Sequence, residues 1–288
     1  MRIAVFGDIG GHAQPFADEL IILGCDPETG EMPDDLVVVQ VGDLIHRGPD
    51  QEAVLVMVAR FMAKHPDRWI QLVGNHESHY LGGPEFIHGG PELQDNSIVE
   101  LQTWWATHKI FLACGIHGDD GRDWLVTHAG LTYLIWRHLN SPKTVGEAAD
   151  RINELGWSNP DAAFWPGWML GGNQPDYKAG VVWAHPTYEL YDSWGRKDAT
   201  ASFGQIHGHA TSYNWSRGTL DQSVDVAKKW GIIDRADVDL AMRHTTIWVH
   251  GIPFIEVDVG MGRYGNVRPQ PYIIEGELVA PAVAPPVS

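Results

Sequence analysis

The sequence contains only two cysteines in 288 residues, Cys25 and Cys114. Two cysteines do not provide the disulfide framework of a small secreted protein, so we expect a reducing, cytoplasmic compartment. No run approaches the roughly 18 consecutive apolar residues that identify a membrane helix. The N-terminal segment also lacks the pattern of a signal peptide. These absences favour a soluble protein without membrane partners.

Basic residues are scarce as well. Lysine and arginine together number 20 against 37 acidic residues, which gives a formal net charge of −17. Binding to duplex DNA depends on cationic contacts to phosphate, so we expect no such binding. An enzyme that acts on phosphate remains compatible with this charge if metal ions supply positive charge locally. A hydrophobic content of 44% is typical of a globular chain.

Apolar, β-branched runs alternate with helical patterns in the first half of the chain, which predicts an α/β fold. The predicted strands are 2–6, 36–41, 69–73, 124–127, 181–184, 204–207, 245–249 and 253–259, and the main predicted helices are 15–23 and 51–65. The last strands follow one another without helices. We therefore expect the later part of the sheet to be mixed or antiparallel.

The chain is predicted to form one domain over residues 1–274, followed by a flexible, proline-rich tail over 275–288. Within the domain, residues 156–175 are rich in Trp, Gly and Pro and have no regular period. Two interpretations of this insertion stay open. It packs aromatic side chains over one end of the sheet, or it forms a rim or lid over a pocket.

Metal-competent side chains follow most of the predicted strands. They are Asp8, Asp43, Asn75, His128 and the pair His207 and His209. One acid after a strand is commonly a helix cap. The carboxyl ends of strands in an open α/β sheet, however, are where ligands bind, so the repetition predicts a shared site.

The residue types at this site indicate the metals. Oxygen and nitrogen donors without thiolates suit Mn first, with Fe, Zn and Co as alternatives. Two ions about 3.5–4 Å apart are the usual arrangement for cleaving phosphoesters with an acidified water. We therefore expect two divalent or trivalent metal ions.

Five blocks of sequence carry a resemblance to a known family. GD ending at Asp8, GDLIHRG (42–48), GNHE (74–77), THAG (127–130) and GHAT (208–211) resemble the blocks of the calcineurin-like metallophosphoesterases. GDLIHRGPD is similar to the GDxVDRG block of the phosphoprotein phosphatases and symmetrical diadenosine tetraphosphatases. VVWAHP (181–186) and FIEVDVGMGRYGN (254–266) resemble later stretches of that branch. The resemblance implies an αββα sandwich of two mixed sheets flanked by helices.

The resemblance also implies roles for individual residues. Asp43 would bridge both metals, Asp8 would hold the first, and the second would be held by Asn75, His128 and His209. His76 would act as the general acid that protonates the leaving oxygen. Arg47 would bind phosphate oxygens, and Arg196 is a candidate second phosphate-binding arginine from its approximate spacing.

The sequence departs from the family pattern at two positions. Gly10 replaces an expected histidine ligand of the first metal, and His46 replaces an aspartate that would pair with His76. We predict that His46 ligates the first metal in compensation. The alternative is that His46 hydrogen-bonds to His76. His12 is a weaker candidate ligand, and His207 is either a ligand or a neighbour of one.

The resulting prediction is a metal-dependent phosphomonoesterase. A phosphodiesterase or a dinucleotide polyphosphate hydrolase is an alternative within the class, and a non-catalytic metal-binding scaffold is an alternative from another class. The expected substrate is a phosphorylated small molecule, a nucleotide or a phosphoprotein.

Overall fold

A computed structural model describes residues 1–170, 172–197, 200–261 and 268–281. The strands are β1 (Arg2–Phe6), β2 (Leu36–Gln40), β3 (Trp69–Gln71), β4 (Ala113–Gly118), β5 (Asp123–Thr127), β6 (Gly204–His207), β7 (Tyr213–Asn214), β8 (Thr219–Leu220), β9 (Arg235–Asp239), β10 (His244–Val249), β11 (Ile252–Glu256) and β12 (Tyr272–Ala280). The helices are α1 (Ala13–Ile22), α2 (Gln51–Lys64), α3 (Asn75–Ser78), α4 (Asp95–Ala106), α5 (Tyr133–His138), α6 (Val145–Ser158), α7 (Pro160–Ala163), a π-helix (Pro186–Tyr191), α8 (Asp192–Gly195) and α9 (Gln222–Lys229). Within these ranges, no helix has both the length and the apolar character needed to cross a bilayer.

Ten strands form one mixed sheet in the order β3-β2-β1-β12-β4-β5-β6-β11-β10-β9, and β7 pairs with β8 separately. The sheet contains two parallel triplets, β3-β2-β1 and β5-β6-β11. Between them, β12 pairs antiparallel with β1 on one side and β4 on the other. The strands β9, β10 and β11 are antiparallel neighbours, as their succession without helices predicted.

The two halves of this sheet pack face to face. Side chains alternate between the two faces of a strand, so each strand contributes to two layers. Ile3 and Val5 of β1 share one buried cluster with Val126 of β5 and Ile255 of β11. The intervening Ala4 belongs instead to the larger cluster that includes the helices. The predicted αββα sandwich is therefore confirmed, except that its two halves form one continuous sheet through β12.

Aromatic contacts fix the first two helices on the outer face of this sandwich. Phe16 of α1 packs edge-on against Phe6 of β1 with ring centroids 5.2 Å apart. Phe61 of α2 stacks on Trp69 of β3 at 4.5 Å. Full burial of such a side chain stabilises the fold by about 1.5–3 kcal/mol. These contacts hold the loops that follow β1 and β2 in place.

The predicted strand at 181–184 is wrong. These residues form turns that lead into the π-helix, although Val181, Val182 and Trp183 are all buried. An apolar run therefore indicated burial there and not sheet pairing. Three strands of the ten-stranded sheet were missed, and so was the short pair of β7 and β8. The strand β4 was not predicted because glycines interrupt it, and β9 was not predicted because it is an edge strand with exposed charges. The strand β12 was not predicted because it adjoins the proline-rich terminus.

The strand β12 also corrects the predicted end of the domain at residue 274. It continues to Ala280, and the pairs Arg2↔Glu275 and His117↔Glu277 place it in the middle of the sheet. Residues 275–280 therefore belong to the fold and not to a tail. The rest of the predicted tail, 282–288, lies outside the described residues.

Candidate metal centre

The predicted ligands lie just after the parallel strands, four of them in loops and Asn75 at the first residue of α3. Asp8 follows β1, Asp43 follows β2, Asn75 follows β3, His128 follows β5 and His209 follows β6. The carboxyl ends of both parallel triplets meet at one edge of the sandwich, as the topology requires. The backbone N–H of His209 donates to Asp8 Oδ1 at 2.9 Å and so joins the two halves directly.

Two histidines and a carboxylate surround the side chain of Asn75. Asn75 Oδ1 lies 3.1 Å from His128 Nε2 and 2.9 Å from His209 Nδ1. Asp43 Oδ1 lies 3.5 Å from the same nitrogen of His128. One ligand atom from each of Asp43, His128 and His209 lies within 4.8 Å of the others. The structure therefore brings together the four residues expected at the second metal.

The hydrogen bonds of His128 leave a position that suits a cation. His128 Nδ1 lies 3.0 Å from the backbone carbonyl of Val41, and a carbonyl only accepts, so Nδ1 carries the proton. Burial lowers the pKa of His128 to about 3. The ring is then neutral, and Nε2 presents a lone pair toward the oxygens of Asn75 and Asp43. Three electron-pair donors that converge without a proton fit a bound metal ion.

Buried carboxylates provide the negative charge for such ions. Asp8, Asp43 and Asp258 line one cavity and are buried. Burial and then the charges of Asp258 and Asp43 raise the pKa of Asp8 well above its ordinary value. Burial, followed by the charge of Glu77, likewise raises the pKa of Asp43. Like charges grouped in this way are stabilised by a cation, so the donor set fits metal ions.

Asp258 is a site residue that the sequence analysis did not identify. It follows β11, and its Oδ1 accepts the backbone N–H of Gly260 at 2.7 Å. The chain at Gly7 approaches so closely that a Cβ there would lie 2.3 Å from the carbonyl oxygen of Val257. This contact holds the loop after β11 against the loop after β1. The sequence analysis placed Asp258 inside the predicted strand 253–259, whereas β11 ends at Glu256 and leaves Asp258 just after it.

Glu77 fixes the loops that carry the ligands. Its carboxylate accepts backbone N–H bonds from Asp43 at 2.7 Å and from Leu44 and Gly74 at 2.8 Å. These bonds stabilise the left-handed backbone of Asp43, whose φ is 55°. Gly74 leaves room for the carboxylate of Asp43, because a Cβ at Gly74 would lie 2.1 Å from Asp43 Oδ1. The GD and GNHE motifs thus depend on each other structurally.

His46 contacts His76. The Nδ1 atoms of the two rings are 2.7 Å apart, and His46 Nε2 lies 2.9 Å from the hydroxyl of Tyr80. The ring of His46 is fully buried and stacks on His88 with centroids 3.5 Å apart. Both ring nitrogens of His46 are therefore engaged. This geometry favours the alternative, hydrogen bonding to His76, over ligation of the first metal by His46.

A carboxylate sets the direction of this hydrogen-bond chain. The hydroxyl of Tyr80 donates to Glu92 Oε2 at 3.2 Å, so its oxygen accepts from His46 Nε2–H. Burial lowers the pKa of His46 to about 3. The neutral His46 ring then accepts at Nδ1 from His76 Nδ1–H. His76 Nε2 is left to exchange protons on its other side.

Arg47 and His76 line the same cavity as the carboxylates. Arg47 Nη2 lies 3.5 Å from His76 Nε2, and that nitrogen lies 3.7 Å from Asp43 Oδ2. Arg47 is exposed to solvent at the cavity. A guanidinium there can form two hydrogen bonds with a phosphate. These positions suit the predicted phosphate-binding and proton-donating roles.

Two other predicted site residues lie elsewhere. His207 is the buried last residue of β6, with Nε2 3.0 Å from the Tyr191 hydroxyl and Nδ1 3.1 Å from the carbonyl of Gly208. Arg196 is exposed and pairs with Asp192 at 2.6 Å, one helical turn away. Neither contributes to the part of the cavity wall that the described chain forms. The structure therefore supports neither His207 as a ligand nor Arg196 as a phosphate-binding residue.

Apolar side chains line the cavity together with the charged ones. The volume of the cavity is about 190 Å³, and its apolar wall consists of Phe86, Ile87, Met169, Leu170 and Trp183. Met169 and Leu170 belong to the predicted insertion over 156–175, which therefore forms part of the rim. The same segment also packs into the core through Phe164. His12, the weaker candidate ligand, is not among the described residues that line the cavity.

A family model for calcineurin-like phosphoesterases matches residues 1–213. The chain therefore belongs to the calcineurin-like phosphoesterase family, whose members are hydrolases. A cold-active protein-tyrosine phosphatase of a psychrophilic Shewanella has a similar structure over 96% of this chain and 74% of its own, with a TM-score of 0.53 and 15% identity. A similarity at this level supports the fold alone.

Two relatives are similar in sequence over part of the chain. A symmetrical bis(5'-nucleosyl)-tetraphosphatase of Thioalkalivibrio sulfidiphilus is 30% identical over 138 residues, which is 46% of each protein. The corresponding protein of Nitrosospira multiformis is 31% identical over 141 residues, which is 46% of this chain and 44% of the relative. The chain thus spans a little under half the length of the curated relatives it matches.

Proposed function

We propose that the protein hydrolyses phosphomonoesters at a centre of two divalent or trivalent metal ions. The convergence of His128 Nε2, Asn75 Oδ1 and Asp43 Oδ1, with no proton between them, carries this proposal. The same cavity places Arg47 and His76 beside these atoms. Oxygen and nitrogen donors without thiolates favour Mn, with Fe, Zn and Co as alternatives.

The proposed ligands divide into two groups that share one residue. The second ion would be held by Asp43, Asn75, His128 and His209, and the first by Asp8 and the bridging Asp43. Asp258 lines the same cavity and offers a carboxylate that compensates for the histidine absent at Gly10. When bound, the ions supply positive charge to the phosphate oxygens and acidify the water that attacks phosphorus.

Side chains of the protein bind the ester and donate a proton to its leaving group. The Arg47 guanidinium binds two phosphate oxygens and orients the phosphoryl group, which its planar geometry suits better than lysine does. His76 donates a proton from Nε2 to the leaving oxygen. His46 Nδ1 accepts a hydrogen bond from His76 Nδ1–H, which fixes the orientation of the His76 ring.

Hydrolysis of dinucleotide polyphosphates is a second candidate function, which the apolar wall of the cavity favours. Phe86 and Trp183 pack edge to face at 5.0 Å, and Ile87 beside them is 99% exposed. An exposed apolar surface next to a phosphate-binding arginine suits a nucleoside. The names of the relatives describe such an activity for those proteins.

The cellular setting belongs to the same proposal. Both cysteines are free and buried, which agrees with a reducing, cytoplasmic compartment. The proposed partners are a phosphorylated small molecule, a nucleotide or a phosphoprotein, and not duplex DNA.

Turnover in the presence of Mn²⁺ tests these functions. The substrates are p-nitrophenyl phosphate, its diester and diadenosine tetraphosphate, and kcat/KM is compared among them. The highest value on the monoester supports the lead proposal, and the highest value on the tetraphosphate or the diester supports the corresponding alternative. His76→Asn should lose activity and keep its metals. Two bound metals without turnover of any substrate would indicate a non-catalytic scaffold and refute the proposal.

A further inference from the structure

A second group of metal-competent side chains lies beside the proposed catalytic centre. Its members are His79, His88 and Glu92, and one ligand atom from each lies within 4.8 Å of the others. All three come from one segment between α3 and α4. None of them is a ligand in the centre proposed above, so this group can be argued independently of it.

Two nitrogens in this group are buried without a partner. The Nδ1 atoms of His79 and His88 have no hydrogen bond among the described residues. Nearly all buried polar atoms in proteins have a partner. The side chain of His88 is only 5% exposed, and its other nitrogen lies 3.2 Å from Glu92 Oε1. Two orphaned imidazole nitrogens in one cluster therefore indicate that a partner is missing there.

The rings of this group are held in fixed orientations. His88 stacks on His46 at 3.5 Å with the planes 5° apart. His79 lies edge-on to His88 at 5.7 Å and to Phe86 at 5.6 Å. Packing on several sides restricts the side-chain torsions, so little entropy remains to be lost when a ligand binds. The cluster is thus organised before any ion arrives.

The chemistry of the donors indicates the class of ion. Two imidazole nitrogens and one carboxylate oxygen form a common ligand set for Zn²⁺, in which water completes a tetrahedron. Ca²⁺ and Mg²⁺ prefer sites made of oxygens alone. A borderline transition-metal ion therefore fits this group better than either.

We propose that His79, His88 and Glu92 bind a further divalent transition-metal ion of the Zn²⁺ class. Glu92 also accepts the hydroxyl of Tyr80 at 3.2 Å, which begins the hydrogen-bond chain to His46 and His76. An ion at this place anchors the outer end of that chain. Its role is to hold the segment between α3 and α4 against the proton donor.

Counting bound zinc tests the proposal. Full-length protein is stripped with a chelator, loaded with Zn²⁺ alone, passed through a desalting column and measured by plasma mass spectrometry. His88→Ala and Glu92→Gln should each bind one ion per chain fewer than the wild type. His244→Ala is a matched control, because its Nδ1 is also buried without a partner but lies outside the metal-competent groups. It should bind as many ions as the wild type.

A second background separates this site from the catalytic centre. The triple variant Asp8→Ala/Asp43→Ala/His128→Ala loses ligands of both ions of that centre and should still bind one zinc ion through the proposed site. Adding Glu92→Gln, at an exposed position, should abolish that binding. The proposed function can fail while this difference of one ion persists. Equal zinc counts in wild type, His88→Ala and Glu92→Gln, all folded by circular dichroism, would overturn the proposal.

Discussion

Replacing His46 with alanine is expected to slow the hydrolysis of alkyl phosphates without changing the metal content. His46 is fully buried and accepts the Nδ1–H of His76 across 2.7 Å. Alanine removes this acceptor and leaves a buried donor without a partner. The proton donor then loses both its fixed orientation and the group that stabilises its charged form.

The size of the effect follows from this one hydrogen bond. A hydrogen bond to a charged group contributes about 1.5–3 kcal/mol, and about 1.4 kcal/mol corresponds to a tenfold change in rate. We therefore expect kcat to fall by about 10- to 150-fold. This lies mostly below the roughly 10²- to 10⁴-fold range of general acid catalysis, because His76 itself remains in the variant.

Two monoesters with different leaving groups isolate the proton transfer. Glycerol phosphate releases a poor leaving group that needs a proton, whereas p-nitrophenyl phosphate releases a good one. The deficit of His46→Ala should be large on the first substrate and much smaller on the second. His46→Asn should recover part of the activity, since its side-chain carbonyl can accept the hydrogen bond. The bound metal is counted in the same samples.

Two outcomes would refute this reasoning. Equal losses on both substrates would mean that His46 does not act through proton donation. The loss of one metal ion per chain in His46→Ala would show that His46 is a ligand after all.

The remaining predictions concern phosphate binding, loop anchoring and close packing. Arg47→Ala should lower kcat/KM by about 100-fold through the loss of charge-assisted hydrogen bonds. Arg196→Ala should change kcat/KM little. Similar losses for the two variants in steady-state assays would contradict the proposal that Arg47 binds the phosphate. Glu77→Ala removes the acceptor of three buried backbone N–H groups. It should lower the free energy of unfolding by about 3 kcal/mol or more. An unchanged midpoint of urea unfolding would contradict this prediction. Gly74→Ala places a Cβ 2.1 Å from Asp43 Oδ1. Because Asp43 is a proposed metal ligand, this variant should bind less metal when measured by plasma mass spectrometry. Full metal content would contradict the close packing of Gly74 against Asp43.

The segments that carry the proposed ligands could be located from the sequence, because each follows a parallel strand buried on both faces. Such a strand, like β1 or β2, is a continuous apolar run that stops abruptly at glycine and an acid. The rule missed Asp258 because the predicted strand 253–259 ran past the observed end of β11 at Glu256. By contrast, β12 lies in the middle of the sheet, but its alternating pattern YIIEGELVA merges into a proline-rich terminus and does not stand out.

Side-chain partners were harder to predict, because they depend on segments distant in the chain. The contacts of His46 with His76 and Tyr80 span 30 and 34 residues. No periodicity in the sequence indicates which distant side chains a histidine contacts. Arg196 illustrates the opposite error. Its spacing suggested a phosphate-binding role. In the structure it pairs with Asp192, which lies four residues earlier, one helical turn away.

The presence of two metal ions in the cavity is the central claim, and anomalous diffraction from crystals soaked in Mn²⁺ tests it most directly. Two peaks are expected in the cavity, about 3.5–4 Å apart, with Asp43 between them. One peak should be coordinated by His128 and His209 and the other by Asp8. A single peak, or no peak at these side chains, would contradict a dinuclear centre.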